Sequence, residues 1–166
     1  MMECRCNDRA SARNATLGEG GRHDRPGRER AYIAGIVRSG IAGDLDTISR
    51  HFASDCRFEL AGSSAASQVA VKAVGAEQFG PTIAALMKIF EMSDLNILSI
   101  VVEGDKAAVH WRVKVRSSVT GDMAVTDLCD IVEFRRDKVA SFLEFCDTAM
   151  AQRMMGPPET GRAALA

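Results

Sequence analysis

The 166-residue sequence lacks a long hydrophobic run, a surplus of one charge sign and a large set of aromatic residues. Lys and Arg total 21 and Asp and Glu total 22, so the formal net charge is −1. Such a balance provides no electrostatic attraction to nucleic acid or to an anionic membrane. No apolar stretch approaches the roughly 20 residues of a transmembrane helix, and residues 1–9 lack the apolar core of a secretory signal. We therefore expect a cytoplasmic protein that binds neither nucleic acid nor a membrane.

The sequence is also poor in the patterns that build disulfide frameworks, metal sites and phosphate loops. It has five cysteines, an odd number, and Cys56, Cys129 and Cys146 are scattered through predicted strands. This distribution fits a reducing compartment. Cys4 and Cys6 have neither a CxxC spacing nor a nearby His cluster. No Gly-rich phosphate loop or Ser-His-Asp order is present, so we predict no cofactor and no metal.

Composition divides the chain into three segments. Residues 1–27 are rich in Arg, Gly, Asn and Ser and have almost no large apolar side chains, which predicts a disordered tail. Residues 156–166, which contain Gly-Pro-Pro, are predicted to be a second disordered tail. Residues 28–155 are predicted to form a single domain, which is long enough to bury a core.

The first part of this domain has helical periodicity. Apolar residues recur three and four positions apart over 28–42 and 77–92. A second helix is predicted over 44–52, with Asp44 as its N-cap. A strand over 55–60 and a short edge strand lie before the third helix.

From residue 94 the periodicity changes to two, which is typical of strands. Strands are predicted over 95–103 and 106–119, and a hairpin over 123–147 with a polar turn at 135–138. The sequence therefore predicts an α+β protein in which a curved antiparallel sheet is covered by three N-terminal helices and encloses a core or pocket.

The last hairpin places two carboxylates on an otherwise apolar face. That face consists of Thr126, Leu128, Asp130, Val132, Phe134, Ala140, Phe142, Glu144 and Cys146. If the turn pairs Phe134 with Ala140, Asp130 lies opposite Glu144. When two carboxyls face an apolar cavity, desolvation and their mutual repulsion raise the pKa of at least one of them. Such a pair suits general acid–base chemistry. Acids are seldom buried without a partner for structural reasons alone.

The preceding turn sets the register of the neighbouring strand. A two-residue turn at Thr120-Gly121 places Trp111 opposite Asp130, with its indole N–H within reach of the carboxyl. The same register gives two further pairs, Val113 with Leu128 and Lys114 with Asp127. In the alternative, structural interpretation, Tyr32, Trp111 or a basic residue satisfies one carboxylate, which then only fixes the sheet.

Further residues are predicted to contact a substrate in an apolar pocket: Tyr32, Phe58, Leu60, Trp111, Val113, Leu128, Phe142 and Cys146. The opposite face of the sheet carries a row of charged residues from His110 to Arg116. It also carries an apolar patch of Ile131, Leu143 and Phe145. Because such a patch usually contacts a partner, we expect a homodimer through this outer sheet face.

The order of elements resembles the nuclear transport factor 2-like superfamily over residues 30–155. Three short stretches carry the resemblance, GDLDTISRHFASDC from Gly43, DIVEF from Asp130 and VASFLEFCD from Val139. The superfamily is a cone-shaped α+β barrel that includes ketosteroid isomerases, limonene epoxide hydrolases and SnoaL-like polyketide cyclases. The resemblance implies this fold and a pocket inside the cone.

The resemblance transfers catalytic residues only in part. Asp130 falls where ketosteroid isomerases have a protonated oxyanion-hole aspartic acid, but their general base and tyrosine would fall at Leu60 and Ile36. Glu144 falls where limonene epoxide hydrolases have a catalytic aspartate. The remaining catalytic residues of those hydrolases would fall at Trp111, Val113, Phe58 and Leu60. SnoaL-like cyclases use an acidic residue near the end of the last strand, which Glu144 or Asp147 supplies.

The sequence thus predicts a SnoaL-like enzyme that acts on a small, apolar, carbonyl-bearing molecule. The expected chemistry is proton transfer without a cofactor, in an isomerisation, an aldol-type cyclisation or a dehydration. Asp130 and Glu144 would share the acid and base roles. The alternative is a non-catalytic binding module of the same fold for a hydrophobic ligand or a protein partner.

Overall fold

The structure, a computed structural model, describes residues 25–63 and 68–157. Most of the two predicted tails, with Cys4 and Cys6, lies outside the described residues. Helices and strands follow one another as α1 (Arg25–Ile41), α2 (Leu45–His51), β1 (Phe52–Leu60), β2 (Lys72–Val74), α3 (Ala76–Ile89), β3 (Phe90–Glu103), β4 (Lys106–Ser117), β5 (Met123–Arg135), β6 (Lys138–Phe145) and α4 (Thr148–Met154).

The described strands form one six-stranded sheet in the order β2-β1-β6-β5-β4-β3. Strands β3 to β6 are an antiparallel meander, and β1 joins it parallel to β6. Helix α1 packs on β3, and α3 packs on β1, β2 and β3. The curved sheet is therefore covered on its inner face by helices, and the predicted α+β class is confirmed.

Several element boundaries differ from the prediction. Helix α1 begins at Arg25, three residues before its predicted start, and β1 begins at Phe52 instead of residue 55. Helix α3 ends at Ile89, so the predicted continuation to Met92 is wrong. Phe90 fits both a helical spacing from Leu86 and a strand spacing to Met92. Pairing with β4 makes it the first residue of β3.

The predicted register between β4 and β5 is wrong by two residues. Trp111 pairs with Leu128 and Val113 with Thr126, whereas Asp130 lies opposite Val109. The cause is the turn: Ser117 pairs across a four-residue loop, because its N–H donates to the Asp122 carbonyl. The Ser117 hydroxyl oxygen also accepts the N–H groups of residues 119 and 120 (3.1 and 3.0 Å). A shift of two residues keeps every side chain on its predicted face.

The β5–β6 turn is also tighter than predicted, but the acid pair survives. Arg136 and Asp137 both have positive φ (52° and 60°), as a two-residue type I′ turn requires. Phe134 therefore pairs with Val139, and the predicted pair with Ala140 is wrong. A bulge after Glu133 takes up the difference, so Asp130 lies opposite Glu144 as predicted.

Candidate functional site

A cavity of about 320 Å³ lies between the inner face of the sheet and helices α1, α2 and α3. Its aromatic walls come from Phe52, Phe58, Phe79, Phe90, Trp111 and Phe142. The rings of Phe52 and Phe79 are stacked with centroids 4.2 Å apart, and those of Phe58 and Phe142 are stacked at 6.0 Å. The volume is within the usual range for small-molecule sites, and the walls are of the apolar kind that such sites have.

The cavity extends to the surface beside the end of α1. Gly40 and Gly43 line it there, together with the exposed side chains of Ala42 and Glu91. Gly43 has φ of +71°, which ends the helix and turns the chain toward α2. Glu91 accepts a hydrogen bond from Arg116 Nη1 at 2.8 Å. An ion pair and a glycine-rich turn thus border the entrance.

Asp130 is part of the cavity wall and has no solvent-accessible surface. The indole Nε1–H of Trp111 donates to Asp130 Oδ2 at 2.8 Å, although the two residues are not direct register partners. The other oxygen, Oδ1, has no hydrogen-bond partner among the described residues. An unpaired buried carboxylate oxygen is costly, so the structure favours a protonated carboxyl at Asp130.

Glu144 lies directly opposite Asp130 in the next strand and lines the same cavity. Unlike Asp130, it is partly accessible. Its backbone carbonyl accepts the N–H of Ala61 at 2.8 Å. Since Asp130 is enclosed, Glu144 is the carboxyl that a molecule in the cavity contacts first.

The pKa values of both acids are raised. Burial raises the pKa of Asp130 well above its ordinary value, the neighbouring Glu144 raises it further, and the Trp111 hydrogen bond opposes the change. Burial raises the pKa of Glu144 from 4.5 to about 7. A pair of this kind holds one proton over the neutral pH range, and its apparent pKa values belong to the pair. Such a pair offers both an acid and a base to one ligand.

A second, smaller cavity of about 60 Å³ lies next to the first, toward α4. Leu60, Leu128 and Cys146 line it, and Glu144 lines both cavities. Burial and the nearby carboxylates raise the pKa of the Cys146 thiol to about 11. Cys146 is therefore a neutral, apolar wall residue and not an activated nucleophile.

The structure brings most of the predicted site residues to these two cavities. Trp111, Phe58 and Phe142 line the larger one, and Leu60, Leu128 and Cys146 line the smaller one. Two predicted residues line neither cavity. The Tyr32 hydroxyl donates to the carbonyls of Asp137 (3.2 Å) and His51 (3.3 Å) and so ties α1 to the β5–β6 turn. Val113 is fully buried in the core beneath α1.

Sequence reasoning missed the wall contributed by α2 and the entrance. Ile48 and Phe52 both fall within the predicted second helix, 44–52, but nothing in the periodicity assigns them to a pocket, and Phe52 is in fact the first residue of β1. Gly40 and Gly43 fall where the first predicted helix ends, and that position by itself indicates only a helix boundary. A pair of glycines that flanks a helix end and precedes a new helix is the sequence signal that could have indicated an opening.

Neither a metal-binding cluster nor a membrane-spanning helix occurs among the described residues. Within 25–63 and 68–157, no group of His, Cys, Asp and Glu side chains is arranged to hold a metal ion. Across the same residues, no helix is long and apolar enough to span a membrane.

The fold and the site define a class of protein: a curved α+β domain with an acid pair at the wall of an apolar cavity. The sequence profile of the SnoaL-like domain matches residues 30–142. The chain therefore belongs to the SnoaL-like domain family.

Solved structures agree on the fold. An NTF2-like protein of unknown function from Burkholderia pseudomallei is 19% identical with a TM-score of 0.64, over 75% of this chain and 97% of that one. An NTF2-like protein from Burkholderia xenovorans is 19% identical with a TM-score of 0.63, over 74% and 91%. TerC, co-crystallised with polyporic acid, is 16% identical with a TM-score of 0.61, over 75% and 98%. No curated protein matches the chain significantly.

Proposed function

We propose that the protein is a cofactor-free acid–base enzyme that enolises a small, apolar carbonyl compound, as part of an isomerisation, cyclisation or dehydration. One observation carries the proposal: two directly opposed carboxyls with raised pKa values line an apolar cavity, and one buried oxygen of the pair is unsatisfied. Raised, coupled pKa values in a cavity are typical of acid–base sites.

The two acids have different roles in this proposal. Glu144, the accessible member, is ionised near neutral pH and removes a proton from the carbon next to the carbonyl. The electron pair of the broken C–H bond forms the C=C bond of an enolate. Asp130 Oδ2 accepts from Trp111, so Oδ1 carries the proton. In the proposal, the ligand moves the surrounding side chains enough to uncover Oδ1, which then donates a hydrogen bond to the enolate oxygen. Return of the proton from Glu144 to another carbon completes an isomerisation.

Exchange of the α-proton with solvent tests the proposal without knowledge of the product. The protein is incubated in D₂O with a panel of apolar cyclic ketones, and deuterium incorporation is followed by mass spectrometry. We expect Glu144→Gln to lower the exchange rate by at least about 100-fold, because a general base contributes roughly 10²- to 10⁴-fold.

Glu133→Gln is the matched control. Glu133 lies three residues from Asp130 on the outer face of β5, where it pairs with Lys106 Nζ at 2.8 Å. Its substitution should leave exchange within about twofold of wild type, since its side chain lies on the face of the sheet opposite the cavity. The contrary outcome is that Glu144→Gln binds ketones and wild type exchanges no proton faster than buffer does. The protein would then be a non-catalytic binding module and not an enzyme.

We also propose that the outer sheet face forms a homodimer. Val101, Met123, Val125 and Phe145 are exposed on this face by 59, 64, 65 and 47%, beside the partly buried Ile131 and Leu143. Burial of these side chains against a second copy would remove apolar surface from water. Phe145→Glu should yield a monomer in sedimentation at concentrations where wild type is dimeric. A monomeric wild type contradicts this proposal.

A further inference from the structure

The two cavities follow each other along strands β5 and β6, with Glu144 between them. On β6, Phe142 lines the larger cavity and Cys146 the smaller, two residues to either side of Glu144. On the neighbouring strand β5, Asp130 lies opposite Glu144 and lines the larger cavity, and Leu128, two residues away, lines the smaller one. Alternate residues of a strand are about 7 Å apart. A ligand atom that contacts the Glu144 carboxyl from the larger cavity is therefore at the border of the smaller one.

The partition between the cavities is made of four side chains that line both. They are Glu144, Leu86, Phe90 and Met92. Met92 is unbranched and flexible, so its rotation opens the partition at low cost. The partition thus has one acid and one adaptable apolar side chain at the point where a substrate would lose its proton.

The walls of the two cavities differ in kind. The larger cavity has six aromatic side chains in its walls, and two stacked pairs among them, Phe52 with Phe79 and Phe58 with Phe142, suit a flat ring system. Apart from Phe90, Thr126 and Glu144, the smaller cavity has aliphatic and sulfur-containing walls, which include Leu128, Met150 and Ala151. Its volume of about 60 Å³ is several times the roughly 10–15 Å³ that one water needs, so it holds about three methylene-sized groups.

We propose that the smaller cavity is a subsite for a short alkyl substituent on the carbon that Glu144 deprotonates, with Leu128 and Ala151 setting the chain length. The inference rests on the proposed function, because that function places the reacting carbon beside Glu144. The substrate is then a flat cyclic ketone with an alkyl arm of about three carbons at its α-position. The apolar walls take the arm, which has no hydrogen bonds to lose.

A homologous series of 2-alkyl-1-tetralones, from hydrogen to 2-pentyl, tests the subsite. Binding to the full-length protein is measured by calorimetry, and α-proton exchange is measured separately. In wild type, affinity should rise about fourfold per added methylene up to propyl, the gain for burying one methylene. It should then fall for butyl and pentyl. If the chain-length optimum appears without exchange, the subsite stands and the catalytic proposal fails.

Two substitutions should move the optimum in opposite directions. Ala151→Leu fills the smaller cavity, and the propyl-to-unsubstituted affinity ratio should fall at least tenfold. Leu128→Val enlarges it, keeps a β-compatible residue in the strand and should move the optimum one carbon longer. The Leu128→Val arm keeps the test decisive if the overpacked Ala151→Leu does not fold.

Arg153→Leu is the control, because it adds the same side chain to the exposed face of α4. It should keep the wild-type series. Affinities that rise steadily to pentyl, an optimum unchanged by both cavity variants, or no binding of any tetralone to wild type would each overturn the subsite.

Discussion

Asp127 and Asp130 are the same residue type, three positions apart in β5, and their environments change their pKa values in opposite directions. Asp127 is on the outer face and accepts from Arg112 Nε at 2.6 Å and from Arg112 Nη2 and His110 Nε2, each at 3.0 Å. These hydrogen bonds lower its pKa to about 2. Burial and Glu144 raise the pKa of Asp130.

The difference shows what an odd spacing does in a strand. Successive side chains point to opposite faces, so the three-residue step takes one aspartate into a solvated ion pair and the other into an apolar wall. Asp127 is held as a carboxylate by two basic neighbours, whereas burial and the neighbouring Glu144 favour the protonated form of Asp130. The same chemical group is an exposed, ion-paired carboxylate in one place and a buried acid with a raised pKa in the other.

The largest predicted effect is a difference in α-proton exchange rate between variants of Asp130 and variants of Asp127. Asp130→Leu removes the donor to the enolate oxygen and should lower α-proton exchange by about 10²- to 10³-fold. Asp130→Asn keeps an N–H donor at the Oδ1 position, so it should lose only about tenfold. Asp127→Asn, the control on the outer face, should stay within about twofold. Equal losses of exchange rate in Asp127→Asn and Asp130→Leu would show that the position of an aspartate on the inner or outer face of the sheet does not decide its effect on activity.

The pH profile gives the same comparison a second readout. Exchange in wild type should rise through about pH 7 as Glu144 ionises and fall at higher pH as Asp130 loses its proton. Asp130→Asn should abolish the alkaline fall, and Asp127→Asn should keep both limbs. A profile that is bell-shaped in all three proteins would assign the alkaline limb to another group.

The second effect is on stability. Because the pKa of Glu144 is higher in the folded state than its ordinary 4.5, the folded state binds the proton more tightly. Its contribution is fully present below pH 4.5 and is lost as the pH rises through about 7. Urea unfolding of wild type should show a decline to which Glu144 contributes about 3 kcal/mol across this window, and Glu144→Gln should remove that part. An unchanged decline in Glu144→Gln would contradict the assignment.

Glu133→Gln is the control for that measurement, and its sign is opposite. Lys106 lowers the pKa of Glu133, so this pair stabilises above the ordinary pKa of Glu133 and is lost as the pH falls. Its substitution should leave the decline between pH 4.5 and 7 in place.

A third, smaller effect concerns the hydrogen bond that holds Asp130. Trp111→Phe removes the donor to Oδ2 and should cost about 1–3 kcal/mol of stability. It should also move the alkaline limb of the pH profile upward, because that hydrogen bond lowers the Asp130 pKa. Unfolding must be followed by circular dichroism, since Trp111 is the sole tryptophan. A downward movement of the limb would contradict the geometry.

The smallest effect is on the outer face. Arg112→Gln should let the pKa of Asp127 rise from about 2 toward its ordinary 3.8, since Arg112 contributes the largest lowering. The carboxyl ¹³C shift followed against pH measures this change, and the Asp130 signal should not move. If the Asp127 and Asp130 carboxyl signals moved together, the charges on the two faces of the sheet would be electrostatically coupled, contrary to this prediction.

Strand alternation was enough to predict that Asp130, Glu144 and Trp111 share an inner face. It also predicted the outer position of the charged row that includes Arg112. The register was wrong by two residues because the Ser117 side chain, which no periodicity reveals, caps a four-residue loop. The site survived this error because a shift of two preserves the face.

The sequence by itself determined the α+β class, the order of most elements and the side of the sheet on which each acid lies. These follow from local periodicity, which the chain carries residue by residue. Only the tertiary structure decided that Phe90 belongs to a strand, that Tyr32 fastens a turn instead of lining the cavity, and that Glu144 separates two cavities. Those features depend on how α1, α3 and the curved sheet pack together, and packing across distant segments leaves no periodic signal in one sequence.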